Sequence, residues 1–152
     1  MSKAYLKSPI GILEIVASEN GICEINFVDK FEKVALKDEN LRLCLDELEA
    51  YFKGELKKFS VRLDVKTTKF RAKIYENLQK VPYGETTTYA ALALAAGHKN
   101  AYRAAGSANA KNPVPIIIPC HRVLSHSGLG GYSGGEGLPT KIWLLEHEAK
   151  HK

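Results

Sequence analysis

The chain has 152 residues, 45% of them hydrophobic and 26% charged, with a formal net charge of +5. That balance is ordinary for a folded globular chain and argues against disorder, and no apolar run approaches the roughly 20 residues a bilayer-spanning helix needs. The N-terminal Met1-Ser2-Lys3-Ala4-Tyr5-Leu6 lacks the apolar core of a secretory signal, so a cytoplasmic location is expected. Three cysteines, Cys23, Cys44 and Cys120, cannot all pair within one chain, which argues against a disulfide framework. The five histidines all lie in the second half and no Cys-x-x-Cys occurs, so no metal site is expected.

The charge is unevenly spread. Between Glu85 and Glu136 there is no Asp or Glu, while Lys99, Arg103, Lys111 and Arg122 fall inside that stretch with His98, His121 and His126. A surface facing polyphosphate needs such clearance, because each carboxylate repels what each lysine attracts. A basic patch kept for solubility satisfies the same observation.

In chain order, residues 1–28 read as an antiparallel meander. Ser8-Pro9-Ile10-Gly11 and Glu19-Asn20-Gly21 are turn signals. They bound the β-branched runs Ile12–Val16 and Ile22–Phe27, the second with Cys23 as a small packed residue. From Asp38 to Lys53, Leu41, Leu45, Leu48 and Phe52 recur at helical spacing until Gly54, with Cys44 near that face. Val61, Leu63 and Val65 alternate as an edge strand would. Lys66-Thr67-Thr68 is the expected boundary between an N-terminal support domain (residues 1–66) and a C-terminal domain (67–152).

Phe70, Ile74 and Leu78 then mark a helix capped by Thr68 and closed before Pro82. Thr88 caps a second helix from Tyr89 to Ala96, ended by Gly97, and a third runs from about Asn100 to Ala110. This pair has the form of a helix-turn-helix. The third helix carries almost no bulk except Arg103. Small residues let its backbone approach DNA, or equally let it pack tightly inside the protein.

Residues 112–123 carry the chemical signal. An apolar run, Val114 to Ile118, is interrupted by prolines and followed by Pro119-Cys120-His121-Arg122. It is a poor helix and a strand with few donors, suited to holding Cys120 rigidly. A thiol needs a neighbouring base or cation to become nucleophilic, and His121 is adjacent. A plain buried thiol or a pair of zinc ligands fits the dipeptide as well. Ser127 to Gly135 is too rich in glycine for a helix and reads as a pocket lid, with Tyr132 and Ser133, or as a surface loop. Pro139 starts a last helix, with Trp143 and Leu145 expected in the core and Glu148 available to orient His121 or to sit in solvent.

Pro119-Cys120-His121-Arg122-Val123, with Asn112-Pro113 before it and Tyr132-Ser133-Gly134-Gly135 after it, resembles the signature of the O6-alkylguanine-DNA alkyltransferases. The resemblance continues through Val81 to Tyr89, Arg103-Ala104-Ala105-Gly106 and Trp143 to Glu148. It implies an α+β fold: a small ribonuclease H-like N-terminal sheet plus helix, packed on a mostly helical winged helix-turn-helix domain. It implies repair of double-stranded DNA containing O6-alkylguanine by irreversible transfer of the alkyl group to Cys120, one turnover per molecule, with no cofactor and as a monomer.

The resemblance also implies roles for single residues. Cys120 is the acceptor, His121 its base through a water, and Glu148 the group that fixes the histidine tautomer. Asn112 ties the turn before the active-site segment. Tyr89 presses on the phosphate beside the target and protonates the leaving guanine, and Arg103 fills the place of the extruded base. Ser133, Tyr132 and the backbone near Cys120 and Val123 receive that base, while Arg122 is structural. Ser107 stands where some relatives have glycine. Cys120 separates the chain from the alkyltransferase-like branch, which has tryptophan there.

Two other classes compete. A non-enzymatic winged-helix binder has no need of an activated thiol beside a histidine. A cysteine hydrolase has no need of a carboxylate-free helix with one arginine.

Overall fold

The apolar runs at the N-terminus form three antiparallel strands in the computed structural model, which describes residues 1–152. Strands β1 (Ser2–Ser8), β2 (Gly11–Ser18) and β3 (Gly21–Val28) pair in that order, and the two expected turns are their hairpin connections. Leu13, Ile15 and Ala17 of β2 are fully buried, as alternation on one sheet face requires. Helix α1 (Glu39–Phe52) begins where the Asp38 carboxylate accepts from the Asn40 and Leu41 amides.

Its inward stripe is Leu41, Cys44, Leu48 and Tyr51, not the expected Leu41, Leu45, Leu48 and Phe52. Leu45 and Phe52 are half-buried. The two sets share a side of the helix, but Cys44 and Tyr51 lie at the centre of the stripe.

The expected strand over Val61, Leu63 and Val65 does not form. A single bridge joins Leu63 to Ile22, with Ile22 N–H donating to Arg62 O and Asp64 N–H to Ile22 O, both at 2.8 Å. The amides of Ser60 and Val61 instead donate to the Glu47 carboxylate. The segment passes so close to Gly21 (φ 153°) that a Cβ there would lie 2.6 Å from Arg62 O, which only glycine tolerates.

The second half contains α2 (Lys69–Leu78), β4 (Thr87–Thr88), α3 (Tyr89–Ala95), α4 (Tyr102–Ala110), β5 (Val123–Leu124) and α5 (Leu138–Lys150). Thr68 and Thr88 cap α2 and α3 as anticipated. α4 starts two residues later than the sequence suggests, because Asn100 adopts a left-handed φ of 69° and ends the connecting turn. The parallel pairing of β4 with β5, Thr87 opposite Val123, has no counterpart in the sequence reading. In α5 the buried face is Thr140, Lys141, Leu144, His147 and Glu148. Trp143 and Leu145, expected in the core, are half-buried, since they sit one step off that stripe.

The chain divides into two compact units, residues 1–66 with His151 and residues 67–150 with Lys152. The fold is α+β. None of its helices is long and apolar enough to cross a membrane.

Candidate active site: a buried thiol beside an anchored histidine

The segment leading to Cys120 is irregular but completely buried from Val114 to Val123. Ile116 adopts φ 75°, a left-handed conformation that is strained for a β-branched residue. Ile118 N–H donates to Val114 O at 3.0 Å and Cys120 N–H to Ile118 O at 2.7 Å. Asn112 braces this coil from both ends: its Nδ2 donates to Ile118 O at 2.7 Å, and its Oδ1 accepts from Val114 N–H at 3.0 Å. The outcome is a thiol on a 3₁₀ turn, Cys120–Arg122, 5% exposed. Burial pushes the Cys120 thiol up, against smaller downward pulls from Asn112, Lys141 and Tyr132.

His121 and Glu148, far apart in sequence, meet at 2.6 Å between Nε2 and Oε2. Glu148 also accepts from Arg122, Nε to Oε1 at 2.8 Å and a terminal nitrogen to Oε2 at 3.0 Å. It accepts again from Gly84 N–H at 3.2 Å. Burial alone would raise the Glu148 carboxyl, but the hydrogen bonds from His121 and Arg122 and the Arg122 charge hold it well below the usual carboxylate range. Burial lowers His121, with Glu148 opposing, so the ring is neutral at physiological pH. A carboxylate can only accept, so the neutral ring carries its proton on Nε2. Its Nδ1 is buried and makes no hydrogen bond.

Lys141 is a fully buried cation whose ammonium donates to the carbonyls of Val123, Leu129 and Gly131, the first at 2.6 Å and the third at 3.2 Å. It fastens the glycine-rich loop to β5. Tyr132 lies close enough to Cys120 for each to shift the other, and burial raises its phenol well above the ordinary value. The Tyr89 ring lies against two glycines: a Cβ on Gly130 would sit 3.0 Å from its hydroxyl, and one on Gly106 3.8 Å from its ring. Burial raises the Tyr89 phenol too.

Cys120, His121, Glu148, Tyr89, Asn112 and Tyr132 therefore cluster. The remaining sequence-derived candidates stand apart from the thiol or are otherwise engaged. Arg103 is exposed on α4 with its guanidinium 5.9 Å from the Tyr102 ring. Ser133 donates its hydroxyl to Ala110 O at 2.7 Å, and Val123 contributes a carbonyl to Lys141.

Sequence reasoning undervalued Arg122, whose bidentate grip on Glu148 shapes the charge of the site. It also missed Lys141 and Asn109. A lysine on the apolar face of a helix was the available signal for the first. Of the cations in the carboxylate-free stretch, Lys99, Arg103 and Lys111 are exposed while Arg122 is buried, so the basic surface is smaller than the sequence suggests.

Residues 69–150 match the family model described as the 6-O-methylguanine DNA methyltransferase DNA binding domain, and residues 1–65 match its ribonuclease-like domain. A methylated-DNA–protein-cysteine methyltransferase from Methanosarcina acetivorans is 41% identical, over 97% of this chain and 98% of its own length. One from Mycobacterium leprae is 40% identical, over 97% and 91%. The crystal structure of the Mycobacterium tuberculosis O6-methylguanine methyltransferase superposes with a TM-score of 0.86 at 35% identity, covering 99% of this chain and 93% of that one. That of Mycobacterium tuberculosis OGT in complex with DNA gives 0.86 at 38%, over 98% and 93%. By both halves and nearly full length, the chain belongs to the 6-O-methylguanine DNA methyltransferase family.

Proposed function

We propose that this protein repairs duplex DNA by moving an alkyl group from O6 of guanine onto the sulfur of Cys120, once per molecule. The observation that carries the reading is the buried line Arg122–Glu148–His121 next to Cys120. Arg122 keeps Glu148 ionised. Glu148 fixes the proton of His121 on Nε2, leaving Nδ1 as the acceptor. A water between Nδ1 and the thiol carries the Cys120 proton to the histidine. Sulfur then attacks the alkyl carbon, the S–C bond forming as the C–O6 bond breaks. Guanine departs with one proton from the Tyr89 hydroxyl, which its raised pKa keeps protonated at neutral pH. Once the proton on His121 has replaced, through solvent, the one Tyr89 gave, thiol and O6-alkylguanine have become thioether and guanine. Water does not cleave a thioether, so the acceptor is spent.

A thiol only 5% exposed cannot reach an O6 substituent inside the base stack, so the nucleotide must be extruded. Exposed Arg103 on α4 is the group suited to fill the gap, and Tyr89 presses the adjacent phosphate. Tyr132, Ser133 and the backbone at Val123 receive the base; Ser133 exchanges its bond to Ala110 for one to the ligand. Exposed Lys99, Arg103 and Lys111, in a stretch without carboxylates, supply the phosphate contacts. No step calls for a second chain, so a monomer working in the cytoplasm completes the reading. Intact-protein mass after incubation with duplex O6-methylguanine DNA tests it. One added methyl, saturating at one per chain and absent from Cys120→Ala, is expected; no mass gain despite DNA binding would contradict it.

A further inference from the structure

Asn109 is 5% exposed and occupies the last turn of α4, three residues after Gly106 and so on the same face. The Tyr89 ring lies over Gly106, on the face of α4 that also carries Asn109, and the Asn109 side chain acts on the Tyr89 phenol. On its other side the amide is tied to the active-site segment, Nδ2 donating to Cys120 O at 3.2 Å. The Asn109 Oδ1 is buried with no hydrogen bond. Two facts set this side chain apart from a packing residue. A buried amide acceptor left unpaired is costly, where a leucine of similar size would leave none. The amide's donor end also holds the backbone of the nucleophile, while the same side chain acts on the phenol proposed as the acid. Neighbouring α4 positions that only pack are alanines, Ala105 and Ala108, and the helix is anchored independently by Tyr75, whose hydroxyl donates to Ala108 O at 2.8 Å.

We propose that Asn109 is a positioning residue that holds the Tyr89 hydroxyl in register with Cys120 and stabilises the charge Tyr89 develops as it gives up its proton. The amide donor acts on the phenol oxygen, and its interaction favours the ionised phenol, opposing the effect of burial. The inference rests on the proposed alkyl transfer and adds a residue to it. Asn109 works through Tyr89, so it matters only when the leaving group needs a proton. It has no bearing on the nucleophilicity of Cys120 itself.

The test is a double-mutant cycle in the full chain. Single-turnover transfer from duplex O6-methylguanine is measured for wild type, Asn109→Leu, Tyr89→Phe and the double variant, beside alkylation of Cys120 by iodoacetamide, whose iodide leaves without a proton. Asn109→Leu is expected to slow methyl transfer about tenfold, the loss of one hydrogen bond to a group gaining charge. Its iodoacetamide rate should stay near wild type, and it should cost nothing further in the Tyr89→Phe background. Asn109→Ser, which keeps a donor, should recover part of the rate. Should the leucine variant fail to fold, the serine variant runs the same cycle with a smaller expected loss. Equal slowing of both reactions, or losses that multiply in the double variant, would overturn the proposal. No transfer even by wild type would instead sink the alkyl-transfer reading, so the two failures are distinguishable.

Discussion

Each unit of the chain buries a glutamate, and the two are used in opposite ways. Glu47 in the N-terminal unit is 8% exposed and accepts only from uncharged groups: the Ser60 amide and hydroxyl and the Val61 amide. It satisfies the Ser60 and Val61 amides of a segment that meets the sheet only through the Leu63–Ile22 bridge. Glu148 in the C-terminal unit is 1% exposed and accepts from a guanidinium and an imidazole next to a thiol. Burial of a carboxylate is common to both. What separates architecture from chemistry is the partner, because only an ionisable partner passes the charge on to a reacting atom.

The contrast is sharpest under substitution to glutamine. Glu148→Gln leaves the Arg122 charge buried without its counter-ion, at a cost of about 3 kcal/mol or more. It also replaces a carboxylate oxygen by an amide donor, so the His121 tautomer is no longer fixed and alkyl transfer should fall about a hundredfold or more. Glu47→Gln should cost about 1–2 kcal/mol in a urea melt, with the transfer rate per folded molecule unchanged. Equal loss of activity in both would erase the distinction.

Acid acts on the C-terminal site through Glu148 and His121. The Glu148 carboxyl is held below its ordinary value, so the stability it adds is present above the unfolded value of about 4.3 and lost as pH falls through the folded one. A flatter acid limb in the melting temperature of Glu148→Gln checks this. His121 is held below 6.5, so the transfer rate should stay level through neutrality and drop only below that value, as Nδ1 takes a proton.

Smaller effects belong to the loop. Lys141→Met leaves the carbonyls of Val123, Leu129 and Gly131 without their donor and should cost about 2 kcal/mol, with a slower transfer as the loop loosens. Gly130→Ala strains a φ of 71° and meets the Tyr89 hydroxyl at 3.0 Å, which should cost about 1 kcal/mol and reduce the rate. Gly128→Ala meets nothing within 4 Å and should change neither. Matched behaviour of the two alanine variants would show that the loop does not position Tyr89.

The sequence was most legible where structure is local. The hairpins at Pro9-Ile10 and Glu19-Asn20 and the caps at Thr68 and Thr88 are written in three or four consecutive residues. It failed where a distant side chain intervened. Val61–Val65 alternates like a strand, but Glu47 takes the amides of Ser60 and Val61 and a single bridge at Leu63 is all that reaches β3. Trp143 and Leu145 look like core because they are apolar, while the inward face of α5 holds Lys141 and Glu148, whose burial makes sense only with the loop carbonyls, Arg122 and His121 present. At the site, the Cys120-His121 pair was visible as a motif. The left-handed Ile116 and the Asn109 amide were not, because each depends on how residues far apart in the chain approach.

The most direct test of the account follows the methyl carbon itself, using duplex DNA with a ¹³C-labelled O6-methyl group. After mixing with one equivalent of protein, the labelled resonance should leave its ether position for that of a thioether, and peptide mapping should find it on Cys120 alone. A label that stays on the DNA, or appears on Cys23 or Cys44, would contradict the account.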